Sequence, residues 1–130
     1  MSCLFESLSY YVQGTDASRL RHIICEFLKT NPTIFDNIKV DEITKHESGI
    51  SLEQYIDNMR NQSTWGGGLE IKTFCDIFNI QVDVISLPNG GRKIEFIPNS
   101  GNPMGKIGIV WNGGHFTPIN MWKVGLLYIN

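Results

Sequence analysis

Apolar residues recur at helical spacing through the first part of the chain and alternate through the last part. Leu4, Phe5, Leu8, Tyr11 and Val12 fall on one helical face, and Gly14 fits a C-terminal stop. That predicts a first helix from about Cys3 to Gln13. Leu20, Ile23, Ile24, Phe27 and Leu28 give a second apolar face, capped by Thr15 or Asp16 and ended by Asn31-Pro32. Residues 36–50 are polar and mixed and read as a loop. Ser51 with Gln54 reads as a capping box ahead of Leu52, Tyr55, Ile56 and Met59. After the glycines at 66–68, the spacing of Ile71, Phe74, Cys75 and Phe78 returns to helical period.

Beyond residue 80 the period changes. "IQVDVIS" alternates as a strand does, "PNGG" is a turn signal, and "KIEFI" and "KIGIVW" read as further strands. "HFTPIN" and "VGLLYI" are weaker strand candidates, and Pro118 fits an edge position. Helices first and strands afterwards predict an α+β domain, with helices packed on a small, largely antiparallel sheet. With no internal repeat, low-complexity tract or linker, residues 1–130 are expected to form a single domain.

Composition narrows the partners more than the fold. The chain is 42% hydrophobic and 18% charged with a net charge of −2, which is globular and carries no basic stripe for nucleic acid. No apolar run approaches the roughly 20 residues that cross a bilayer, and no signal peptide is visible. Cys3, Cys25 and Cys75 are odd in number and widely spaced. They make a poor disulfide framework, lack CxxC metal spacing, and suggest a reducing, intracellular setting. Neither a metal nor a cofactor is expected, since no phosphate-binding, dinucleotide-binding or zinc-protease fingerprint is present.

The remaining candidates for chemistry are thiols and imidazoles. A cysteine nucleophile needs thiolate character and a base within reach, and unpaired amides in the first turn of a helix favour an anion. Cys3 stands there, with Ser2 as a possible cap, although position alone favours a small residue near a terminus over a nucleophile. His46 reads as a solvated loop residue. His22 is one turn from Cys25, which reads as packed. His115 follows the turn Asn112-Gly113-Gly114 and opens a strand, where a rigid sheet could position it. The triple glycine reads as a flexible turn rather than an anion cradle, and Glu70 and Asp76 read as solvated or capping.

Three segments, taken in order, resemble the ovarian tumour (OTU) family of cysteine proteases. "CLFESLSYYVQG" with "LRHIICEFLKTNPTIF" is similar to the family's nucleophile helix and the helix after it. "YIDNMRNQSTWGGGLEIKTFCDIFNIQVDVI" resembles its central signature, and "IVWNGGHFTPI" its strand, turn and histidine–aromatic pair. The resemblance implies a papain-like OTU-type domain in which Cys3 is the nucleophile, His115 the general base and Phe116 the aromatic residue after it. Trp65, Gly66 and Gly67 match the signature turn bordering the channel for the substrate's C-terminal tail, where Gly114 also suits close backbone approach. It further implies hydrolysis of the (iso)peptide bond after the ubiquitin C-terminus, through a thioester. Ubiquitin or polyubiquitin would be the partner, the chain a monomer, and the setting the cytoplasm. Small domains of this family occur in viruses and intracellular bacteria, which points to a host cytoplasm if the chain is an effector.

The family pattern has an Asp-Gly-Asn-like run before the nucleophile, and here only Met1 and Ser2 precede Cys3. The usual alternative for a third catalytic residue, two positions after the histidine, is Thr117. Asn112 on the turn is a second candidate, and a dyad is a third arrangement. Two other readings stand beside a deubiquitinase. One is a degenerate ubiquitin-binding module, the other a protease for a different ubiquitin-like modifier or a viral polyprotein.

Overall fold

The computed structural model describes residues 3–35, 37–119 and 127–128. Helix α1 (Cys3–Ser9) leads through β1 (Val12–Gln13) to α2 (Ala17–Lys29). A small hairpin of β2 (Thr33–Phe35) and β3 (Ile38–Lys39) precedes α3 (Val40–Ser48), α4 (Leu52–Met59) and α5 (Gly68–Phe78). The main sheet then follows from β4 (Gln81–Ser86), β5 (Arg92–Phe96), β6 (Lys106–Trp111) and β7 (Phe116–Pro118), with β8 (Leu127–Tyr128) outside it.

The α+β expectation holds. The sheet runs β5-β4-β6-β7, and two of its three pairings are antiparallel as expected. The central pairing, β4 with β6, is parallel. The hairpin to β5 reverses the chain and fills one edge of β4, so β6 joins the other edge in β4's own direction. β7 is an edge strand, as Pro118 requires.

The first helix is shorter than its apolar spacing suggests. It ends at Ser9, and Val12–Gln13 pairs in parallel with Leu127–Tyr128. The chain leaves the helix where Tyr11 turns its hydroxyl to the carbonyls of Gly108 (2.7 Å) and Ile119 (2.9 Å). Of the last predicted strand, only residues 127–128 are described, and Ser2, the expected cap of α1, lies outside the described residues.

Residues 36–50 are not the expected loop, because α3 occupies most of them. Val40 and Thr44 are buried, Asp41 and Glu42 lie in the first turn and Lys45 and His46 in the last, the favourable sense for the helix dipole. Gly49 closes the helix at φ +69°. His46 is exposed as expected, but on a helix. The capping residues read from sequence are in place: Asp16 accepts from Arg19 N and Ser51 from Gln54 N.

Among the described residues, the buried apolar side chains form one cluster. Leu4, Phe5 and Leu8 of α1 meet Leu20, Ile24 and Leu28 of α2, Phe74 of α5, and Val82 and Ile109 of the sheet. Helix α1 packs on both α2 and β7, and α5 packs on α2 and β4. Burying a leucine or phenylalanine of this kind stabilises by about 1.5–3 kcal/mol. The helix that begins at Cys3 is therefore fixed by its own apolar face.

Candidate active site

Cys3 is the first residue of α1 and is half-buried, and its carbonyl accepts the Ser7 hydroxyl at 2.8 Å. The other two thiols are different. Cys25 and Cys75 are fully buried, and burial pushes them up to about 11 and about 12 respectively. Both stay protonated at neutral pH and pack as small apolar groups. His22, one turn from Cys25, is exposed, with Nδ1 3.4 Å from Arg60 Nη1.

The segment at 65–67 lies directly against α1. A Cβ placed on Gly66 would fall 2.8 Å from Leu4 Cδ2 and 3.0 Å from Phe5 Cε2. Gly66 is therefore a packing glycine rather than part of a flexible turn. Gly67 is the N-cap of α5, and its amide donates to Glu70 Oε1 at 2.8 Å. The chain's own carboxylate thus takes the amide that an anion cradle would need. A Cβ on Gly67 would meet nothing within 4 Å, and one on Gly114 only Asn112 Oδ1 at 3.8 Å.

Behind this turn is a polar network that hydrophobic patterning did not disclose. Glu70 is 1% exposed, not solvated, and its Oε2 accepts the Tyr55 hydroxyl at 2.6 Å. Burial raises the Glu70 pKa, opposed by the hydrogen bonds from Tyr55 and Gly67 and by the charge of Arg21. Arg21, also buried, lies 4.2 Å over the Phe5 ring and donates to the Met59 carbonyl at 2.8 Å. One guanidinium therefore joins α1, α2 and the end of α4 behind the turn. The legible signal for Glu70 was its place three residues after Gly67, at the N3 position of α5. Nothing in the sequence marked Arg21.

The third segment arrives through aromatic rings. Trp65 meets Trp111 edge-on at 6.3 Å between centroids, and Trp111 meets Phe116 at 4.7 Å. Trp111 and Phe116 are cross-strand partners in the β6–β7 hairpin. Asn112 Oδ1 accepts from Gly114 N (2.9 Å) and His115 N (2.7 Å), and Asn112 N donates to the His115 carbonyl at 3.1 Å. Gly113, at φ +100°, makes the tight reversal possible. His115 is exposed at the entry to β7, and Thr117, also exposed, follows two residues on, where a strand returns to the same face. The Asn112 carbonyl oxygen is thus engaged by the turn's own backbone.

The segments of Cys3, Trp65 and His115 are far apart in sequence and meet at one place. Gly66 packs on α1, Trp65 leads through Trp111 to Phe116, and α1 packs on β7. Among the described residues, no group of three or more His, Cys, Asp or Glu could hold a metal, and no helix is long and apolar enough to cross a membrane.

Known proteins share this fold. The chain is 23% identical over 123 residues to the ubiquitin thioesterase OTU1 of Rattus norvegicus and 21% identical to that of Homo sapiens; 91% of this chain is covered in both. It spans about a third of the length of these relatives, 33% and 32%. An OTU domain solved in complex with ubiquitin superimposes with a TM-score of 0.72 at 21% identity, covering 90% of this chain and 62% of that one. An OTU deubiquitinase from Wolbachia pipientis bound to ubiquitin gives a TM-score of 0.60 at 21% identity, covering 90% and 88%. The viral OTU protease of Dera Ghazi Khan virus gives 0.62 at 16%, covering 90% and 72%. These likenesses carry the fold. A sequence profile of the OTU-like cysteine proteases matches residues 2–106, and the chain belongs to that family.

Proposed function

We propose that this chain is a cysteine-type deubiquitinase that hydrolyses the (iso)peptide bond following the ubiquitin C-terminus. The observation that carries the reading is the meeting of the Cys3 helix, the Trp65-Gly66-Gly67 turn and the His115 hairpin, in a chain of the OTU-like cysteine protease family. The relatives named as ubiquitin thioesterases and the OTU domains solved with ubiquitin favour that substrate.

The chemistry follows from the residue types. Cys3 thiolate attacks the carbonyl carbon, forming a carbon–sulfur bond as His115 protonates the departing amine. The resulting thioester is then hydrolysed by a water whose proton His115 accepts, releasing the carboxylate and restoring the thiol. A tail ending in two glycines would run beside Gly67 and Gly114, whose side-chain directions are open, with Trp65 and Phe116 as aromatic borders. Since Asn112 Oδ1 is engaged by two backbone amides, we assign Asn112 to shaping the turn. That leaves Thr117 as the orienting group, or a Cys–His dyad. We further propose that the domain of residues 1–130 acts as a monomer in the cytoplasm, a host's if it is an effector, without nucleic acid, membrane or metal.

Incubation with ubiquitin bearing a C-terminal electrophile tests this. An adduct is expected with the wild type and not with Cys3→Ala. An equal adduct in both, or none in either, removes the nucleophile assignment. The uncharged Thr117 favours one further reading, a module that binds ubiquitin without cleaving it, and binding without turnover would select it. Activity toward a different ubiquitin-like modifier, with ubiquitin inert, would redirect the specificity.

A further inference from the structure

The first turns of α2 and the end of α4 enclose a concavity of about 260 Å³, lined by Ser18, Arg21, His22, Arg60 and Gln62. Arg21 also packs on Phe5 of the Cys3 helix, and the other four residues lie outside the grouping around Cys3. Each lining side chain carries a hydroxyl, guanidinium, imidazole or amide able to donate a hydrogen bond, and none carries a carboxylate. Arg21 is 2% exposed, held in place by the Met59 carbonyl on one side and the Phe5 ring on another. Gln62 donates its amide to the Ser18 hydroxyl, so these two form one wall. Arg60 Nη1 stands 3.4 Å from His22 Nδ1.

Carboxylates stay at the periphery. Glu26 pairs with Arg60 through Nη2 from outside the lining, and it is the group that holds Arg60 at present. Asp16 is occupied as the N-cap of α2. Glu70 is buried behind Arg21 and engaged by Tyr55 and Gly67. An exposed ion pair such as Arg60–Glu26 is worth little in water, so a more highly charged anion can take its place.

We propose that this concavity is a binding site for a phosphate group. Two guanidiniums, a hydroxyl, an imidazole and an amide lining one concavity offer more donors than a planar carboxylate needs, since one guanidinium fork would satisfy it, and suit the several oxygens of a phosphate. A volume of about 260 Å³ admits inorganic phosphate or a small phosphate monoester. Arg21 and Gln62 form the fixed part. Arg60 closes on the anion by releasing Glu26. The site requires no hydrolysis and is independent of the deubiquitinase reading.

The test uses the whole chain, titrated separately with inorganic phosphate and with O-phosphoserine at ionic strength held constant with sodium chloride. Calorimetry and the backbone amide resonances of Ser18, His22 and Gln62 report binding. Saturable one-site binding is expected, weakened about tenfold or more by Arg60→Gln and left equal or tightened by Glu26→Gln, since each tenfold is one guanidinium contact of about 1.4 kcal/mol. Binding of phosphoserine alone assigns the site to a monoester, and binding of inorganic phosphate alone assigns it to the free ion. His22→Gln serves as a second variant should Arg60→Gln lose its fold, with a weakening again expected. The proposal is overturned if neither probe saturates, if chloride produces the same shifts, or if Arg60→Gln and His22→Gln, where folded, bind as the wild type does.

Discussion

Gly66 and Leu4 are in contact across 62 residues of sequence: a single carbon added to Gly66 would lie 2.8 Å from Leu4 Cδ2. Leu4 is 1% exposed and its neighbour Phe5 is fully buried beneath Arg21, so neither side chain has free space to retreat into. Gly66→Ala is therefore expected to cost about 1–3 kcal/mol through overpacking, and to displace the helix that carries Cys3. Gly67→Ala is the internal control, because its added carbon meets nothing within 4 Å. Only the modest loss of alanine for glycine at an N-cap is expected there. Urea denaturation, read beside the rate of adduct formation with electrophile-tagged ubiquitin, should separate the two variants. Equal behaviour would mean that α1 tolerates the extra carbon.

The three thiols are sorted by their surroundings. Cys25 and Cys75 are fully buried, with pKa values pushed up to about 11 and about 12. Cys3 is half-buried at the start of α1. Brief treatment of the native protein with iodoacetamide near pH 7.5 is expected to label Cys3 alone, as read by peptide mass spectrometry. All three should label in denaturant. Labelling of Cys25 or Cys75 in the native state would show that the α2 or α5 packing opens on the time scale of the reaction.

Glu70 gives a pH signature with a definite sign. Its pKa is raised from the ordinary 4.5, chiefly by burial. A carboxyl held above its unfolded value keeps a proton that the unfolded chain has released. Its contribution to stability is therefore complete below the ordinary pKa and is lost as pH rises through the raised value. Glu70→Gln removes that dependence, at a fixed cost from weakening the bonds to Tyr55 and Gly67. The stability gap between wild type and variant, from denaturant midpoints, is expected to shrink as pH rises from about 4 to 7. Parallel curves would place the titration elsewhere.

How far the sequence carried this structure depends on range. The apolar faces of α2, α4 and α5, and the alternation in β4, lie in short windows, and the caps Asp16 and Ser51 stood where their residue types implied. Helix α3 was hidden because its stabilisation comes from two buried residues, Val40 and Thr44, in an otherwise polar run. The early end of α1 depends on Tyr11 reaching Gly108, 97 residues away, which no window contains. At the site, Cys3, Trp65 and His115 were singled out by resemblance to a family rather than by physics. The groups behind α1 and the 65–67 turn, Arg21, Tyr55 and Glu70, are polar residues whose burial follows only from tertiary packing. Trp111 was assigned to a strand, but its place between Trp65 and Phe116 comes from the sheet register.

The turn before His115 offers the last prediction. Asn112 Oδ1 accepts two amides, from Gly114 at 2.9 Å and His115 at 2.7 Å, so its side chain fixes the backbone from which the imidazole projects. Asn112→Ala leaves both amides to water. The turn is exposed, so the expected loss of stability is small, on the order of 1 kcal/mol. The loss in turnover should be larger, about 10- to 100-fold, because a shift of the base by a fraction of an ångström degrades the alignment for proton transfer. Asn112→Asp keeps an acceptor at the same place and is expected to recover most of the rate. Hydrolysis of a ubiquitin C-terminal fluorogenic amide across pH 5.5–9 measures both effects. An alanine variant as fast as the wild type would show that the hairpin holds His115 without Asn112. An aspartate variant as slow as alanine would show that the asparagine amide itself is required.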